Sequence, residues 1–180
     1  MPHAPQVRVL IDVLEEHLEG LAFLWEQWKI QISGSGSPRS FDDLQKRIVA
    51  HIRGVEVYGE AAVPMLEEYF ESEENGEVFA ATSSLLHLNL HCIERLTQVL
   101  SDMESPQLTG VCDALCQCKL DDNVHEMLNR LVESESPAAA VNASFVLAFH
   151  GKLNQKPDGL VHDDDPAVRA QAWRVKAMTG

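Results

Sequence analysis
Four segments of this chain begin alike, at nearly constant intervals. Starting at Asn75, Ser105, Ser136 and Asp165, they read NGEVFAATSSLLHL, SPQLTGVCDALCQC, SPAAAVNASFVLAF and DPAVRAQAWRVKAM, with starts 30, 31 and 29 residues apart. Each opens with a residue type that caps helix N-termini by accepting a hydrogen bond from a free backbone amide. Three of the four continue with proline, whose missing N–H is not needed at the first helical position. Small or apolar residues then recur at helical spacing, as in Val78, Ala81 and Leu85 or Ala140, Ala143 and Leu147. A second amphipathic stretch precedes each of the first three: Ala62 to Phe70, with Pro64 in its first turn, Ile93 to Leu100, and Val124 to Val132. Before the fourth, Lys152 to His162 contains Pro157 and Gly159, which predicts a short or irregular helix. Two helices per period of about thirty, with no strand-like alternation, predict an all-α fold: an α-solenoid of two-helix repeats over residues 60–180. In such a stack each pair hides its apolar face only against its neighbours. The alternative is a non-repeating helical bundle, and the recurrent Ser-Pro or Asp-Pro starts argue against it.

Residues 1–59 read as an N-terminal helical segment. From Gln6 to Ile32 the apolar residues Val7, Leu10, Ile11, Leu14, Leu18, Leu21, Leu24, Trp25, Trp28 and Ile32 mark one face of a long helix, which Gly20 is expected to bend. Residues 33–39, rich in glycine and serine, predict a flexible connection. A second helix is expected from Ser40, with Asp43 completing a capping box, and with Phe41, Leu44, Ile48, Ile52 and Val55 as its apolar stripe. It should end near Tyr58-Gly59.

The charge narrows the classes of partner. With 28 acidic against 14 basic side chains the formal charge is −14. Direct nucleic-acid binding and an anionic membrane surface are disfavoured, because both need clustered lysine and arginine. A basic protein partner is favoured, chiefly through faster encounter. Met1 to Pro5 lack the basic start of a signal peptide, and no run approaches a transmembrane span. Cys92, Cys112, Cys116 and Cys118 are too few for a disulfide scaffold and read as reduced thiols of a cytoplasmic protein.

The stretch Leu160 to Ala177 resembles a HEAT-type repeat, through Asp165, Pro166, Val168 and Arg169 at the start of its second helix. The resemblance implies that the aspartate caps the helix and the arginine pairs within the repeat ladder. The other three units lack the arginine and share only the period and the capping pattern. The stretches FLWEQWK (Phe23 to Lys29), DDLQKRIVAHIRGVEVYGEAA (Asp42 to Ala62) and NGEVFAATSSLL (Asn75 to Leu86) are similar to a proteobacterial family with a helical start and HEAT-like repeats. That likeness covers about the first half of the chain and includes no catalytic motif. Some of the family are associated with type VI secretion clusters, which implies a role beside toxins, as immunity protein or adaptor.

No pattern of catalytic chemistry emerges, and no cofactor or metal is expected. Cys112 and Cys116 share a helix face and Cys92 could approach from a neighbour, but short Cys-x-x-Cys hooks are absent. Packing is the favoured reading of these thiols, with a Cys-cluster metalloprotein as the alternative. His87 and His91 are four apart without the glutamate of a zinc protease, and His17 and His51 show no spacing partner. Asp121-Asp122 and Asp163-Asp164-Asp165 lack the alternating ligands of a calcium loop and read as helix N-terminal charges.

The chain therefore reads as a protein-binding module, not an enzyme. Its sharpest form is an immunity protein that neutralises a secreted type VI antibacterial toxin by laying acidic side chains over a basic active-site cleft, such as that of a nuclease. An adaptor or chaperone for a secreted effector is the alternative. The candidate contact residues are the acidic run Glu67, Glu68, Glu71, Glu73 and Glu74, the loop Asp163, Asp164 and Asp165, and the aromatic pair Trp25 and Trp28. The C-terminal repeat, with Trp173, shows no polar capping helix and could pair with a second copy.

Overall fold
A computed structural model describes residues 10–34, 38–90, 92–155 and 157–180, without the side chains of 38–40. The expectations for Met1 to Pro5, Gln6 and Val7, the centre of the 33–39 connection and His91 fall outside the described residues. Among the described residues there are nine α-helices, two 3-10 turns and no strand. The helices are α1 (Ile11–Ser33), α2 (Pro38–Glu56), α3 (Val63–Phe70), α4 (Asn75–His87), α5 (Ile93–Leu100), α6 (Leu108–Gln117), α7 (Asp122–Val132), α8 (Pro137–Phe149) and α9 (Pro166–Thr179). The 3-10 turns are Gly59–Ala62 and Asp158–His162, the second falling where Pro157 and Gly159 forecast irregularity.

Local chemistry explains three of the helix starts. Ser136 caps α8 by accepting from the Ala139 amide at 3.3 Å, and Asp165 caps α9 by accepting from the Ala167 amide at 2.7 Å, each followed by proline. Asp121 caps α7 by accepting from Val124 N–H at 2.7 Å. The other two expected caps do different work. Glu74 holds the cap position of α4, and Asn75 is already helical. Its side-chain oxygen is then free to accept from the Gly110 N–H of α6 at 3.1 Å. Likewise α6 begins only at Leu108, after a turn in which Leu108 N–H donates to the Ser105 carbonyl at 3.1 Å.

The helices pack in sequence-local pairs, α3 with α4, α5 with α6, α7 with α8, and the second 3-10 turn with α9. The second members also pack in succession, α4 on α6, α6 on α8 and α8 on α9. At the other end α1 packs on both α2 and α4. One hydrophobic cluster runs from Leu14 in α1 to Leu147 in α8, and a second, around Val141, Val161, Val168 and Ala172, seats the last pair.

Two features of the N-terminal helices differ from the sequence reading, the breadth of the α1 stripe and the start of α2. Helix α1 runs on through Gly20, which serves as a notch for a facing side chain. Its apolar stripe is also narrower than the spacing implied, since Ile11 and Ile32 are exposed while Leu14, Leu18, Leu21, Leu24 and Trp25 are buried. Helix α2 starts at Pro38, so Ser40 lies inside it and is not its cap. Past its end, Gly59 adopts φ +53°, a left-handed backbone that glycine takes without steric cost.

Candidate functional site
The acidic run occupies the end of α3 and the turn into α4, and Glu67, Glu68, Glu71, Glu73 and Glu74 are all exposed. Part of it is already neutralised. Arg95 of α5 lies 3.9 Å from Glu67 and 3.7 Å from Glu71, and its guanidinium sits 5.6 Å from the centre of the Phe70 ring. These are half-exposed pairs of small energetic weight. Glu68, Glu73 and Glu74 join no ion pair among the described residues. Glu74 instead receives structural support: its amide donates to Ser72 Oγ at 3.0 Å, holding the turn that starts α4.

The acidic surface extends beyond the run. The Tyr69 hydroxyl is pushed up to about 12, first by burial and then by the negative charges of Glu77, Glu19, Glu15 and Glu68. These carboxylates come from α4, α1 and α3, so the packing of α1 beside α4 assembles a single acidic field around one half-buried tyrosine. Glu15 and Glu19 are not apparent as part of this face in the sequence, because they lie some fifty residues from Tyr69. Their only local signal is that both fall on the polar side of α1.

The second acidic candidate is committed to the start of α9. Asp165 caps the helix, and Asp163 accepts from the Asp165 amide at 2.9 Å. Arg169 donates to the carbonyls of Asp163 at 2.6 Å and Asp164 at 2.9 Å. The arginine is thus turned onto its own loop, where the HEAT resemblance implied pairing along a ladder.

Trp25 is not a surface anchor. It is 1% exposed, stacks on Phe79 with ring centres 6.0 Å apart, and donates its indole N–H to Asp113 of α6 at 3.0 Å. The Lys29 ammonium lies over the ring, 4.2 Å from its centre. A tryptophan surrounded in this way locks α1 to α4 and α6 and is closed to a partner. Burial raises the Asp113 carboxyl, against the opposing effects of the Trp25 hydrogen bond and the Lys29 charge. Trp28 is half-buried, its ring centre 6.1 Å from that of Phe41. In α9 Trp173 is 54% exposed, with the Lys176 ammonium 5.2 Å from its ring centre.

The cysteines are all buried. Burial pushes the thiols of Cys92 and Cys118 up to about 11 and that of Cys112 up to about 12, and raises Cys116 as well. A thiol held protonated is a poor nucleophile and a poor metal ligand. Cys118 ends α6 and lies 3.8 Å from His87 Nδ1, which sits 2.9 Å from the Ser83 carbonyl oxygen. Among the described residues, no three of histidine, cysteine, aspartate and glutamate are grouped to hold a metal ion. No helix of the described residues is long and apolar enough to cross a membrane.

Fold and surface together define a class no finer than an all-helical protein with an acidic face built from three helices. Compared with known families, curated proteins and solved structures, the chain matches none at a significant level.

Proposed function
We propose that this chain is a non-catalytic protein-binding module, a short α-solenoid of HEAT-like repeats whose acidic face grips a basic protein. The observation that carries this reading is that α1 and α3 both pack on α4 and leave Glu15, Glu19 and Glu68 exposed, with a negative field that reaches Tyr69. A half-buried phenol in the negative field of these carboxylates suits a lysine- or arginine-rich surface. The charges accelerate encounter, and the ring supplies a rigid contact that prolongs the complex. The formal charge of −14 extends the attraction beyond the contact itself.

More specifically, the chain acts as a cytoplasmic immunity protein that neutralises a type VI toxin by covering a basic active-site cleft. This part rests on the family resemblance of the N-terminal half. The test begins with the protein that co-purifies with the chain from its native cell. Titrating that partner's toxic activity with purified chain should abolish it at one equivalent. Stable binding without inhibition would assign the adaptor role instead. Reversing Glu15, Glu19 and Glu68 to lysine should slow association at low salt at least tenfold, roughly the range over which steering acts. An unchanged association rate would remove the acidic face from the interface.

A further inference from the structure
Helices α1 and α2 meet through two histidines. Nδ1 of His17 lies 3.3 Å from Nδ1 of His51, with ring centres 5.3 Å apart and planes at 80°. The nitrogens are closer than the centres, so the two Nδ1 atoms are facing corners of the rings. Each ring also rests over a glycine of the opposite helix. A Cβ on Gly54 would come within 2.4 Å of His17 Nε2, and one on Gly20 within 2.3 Å of His51 Cε1. The same spacing makes both halves: His17-Leu18-Glu19-Gly20 on α1 and His51-Ile52-Arg53-Gly54 on α2. Because His17 faces Gly54 while His51 faces Gly20, the helices run antiparallel and the four residues form a local two-fold arrangement. Neither ring is sealed in, since both histidines are half-buried.

We propose that His17 and His51 form a zinc site that staples α1 to α2. Zinc bonds imidazole nitrogen at about 2.0–2.1 Å, and a tetrahedral angle then puts two ligand nitrogens roughly 3.3–3.4 Å apart. The observed 3.3 Å, a hydrogen-bonding distance between the two rings, equals that edge, so zinc can replace the shared proton without moving the nitrogens apart. A square-planar or octahedral ion with similar bonds would bring the nitrogens to about 2.9 Å. Calcium and magnesium would find only nitrogen here, and they need oxygen. Two coordination positions remain for water, which reaches the half-exposed rings. Arg47 is the charged group besides His17 that acts on His51, and its positive charge opposes the incoming ion. The site is therefore weaker than a closed four-ligand site. The glycine notches explain why rings of this size can sit inside a helix–helix contact.

The test is calorimetric titration of zinc chloride into chelator-stripped, full-length protein at neutral pH. One zinc per chain should bind, and thermal unfolding should move upward with zinc concentration. His17→Ala and His51→Ala should each abolish the binding. No saturable binding by the unaltered chain, or binding that survives either substitution, overturns the proposal. Because the alanine variants could loosen the α1–α2 contact, zinc X-ray absorption on the unaltered protein gives a separate decision. Two imidazole nitrogens with only light-atom neighbours support the site. Sulfur in the first shell places zinc on the cysteines and refutes it.

Discussion

Gly110→Ala tests the stacking of α4 on α6 with a single methyl group. A Cβ at Gly110 would lie 2.6 Å from the Asn75 carbonyl oxygen and 2.9 Å from Val78 Cβ. The first of these is backbone at the start of α4, so no side-chain rotation relieves the clash. The helices must separate, which also stretches the 3.1 Å bond from Gly110 N–H to Asn75 Oδ1. Overpacking of this kind costs about 1–3 kcal/mol, and the rigid obstacle puts it toward the upper end. Alanine recovers about 1 kcal/mol as the better helix former. The net loss is then about 1–2 kcal/mol, or roughly 2–8 °C in Tm for a chain of this size. Gly159→Ala is the matched control, since a Cβ there meets nothing within 4 Å. Urea and thermal melts should show Gly110→Ala clearly destabilised and Gly159→Ala near the parent. A Gly110→Ala variant as stable as the parent would refute this close approach of α4 and α6.

Other substitutions test separate contacts. Asp113→Asn keeps an acceptor for Trp25 and removes a desolvated charge, so its denaturation midpoint should equal or exceed the parent's at neutral pH. Asp113→Leu strands the indole N–H and should cost about 1–3 kcal/mol; the reverse order of stability would contradict the burial of this pair. Ser136→Ala and Asp165→Ala should each cost about 1 kcal/mol as lost caps. Ser105→Ala should cost less, because its hydroxyl bonds the Gln107 side chain and caps no helix. The four thiols should react with a disulfide reagent only after denaturation, and rapid labelling of the native protein would contradict their burial.

The all-helical fold was legible because its signals are local. Ser136-Pro137 and Asp165-Pro166 announce helix starts through atoms two or three residues away. Apolar spacing located α5 within its true bounds. What was not legible depends on distant partners. Trp25 reads either as packing for the N-terminal helix or as an exposed anchor until Asp113, 88 residues later, is brought to its indole N–H. Asn75 reads as a cap until Gly110 takes its oxygen. Arg95 offers no hint in sequence that it will partly neutralise Glu67 and Glu71. Nor do Glu15 and Glu19 reveal in advance that they share a field with Glu68. His17 and His51 show no spacing partner in the sequence, and their relation required the antiparallel contact of α1 and α2.

The acidic face is tested most directly by titrating Tyr69. The chain has two tyrosines, so Tyr58→Phe leaves one phenol to follow by its ultraviolet absorbance. Its ionisation should be displaced to about 12 and should fall part of the way back when Glu15, Glu19, Glu68 and Glu77 are changed to glutamine, burial holding the rest. The unfolded chain then loses its tyrosine proton first, near 10, so the native state holds more protons above that pH and stability must decline as pH rises from 10 toward 12. An ordinary titration near 10, insensitive to the four glutamates, would contradict the convergence of the three helices' carboxylates on this ring.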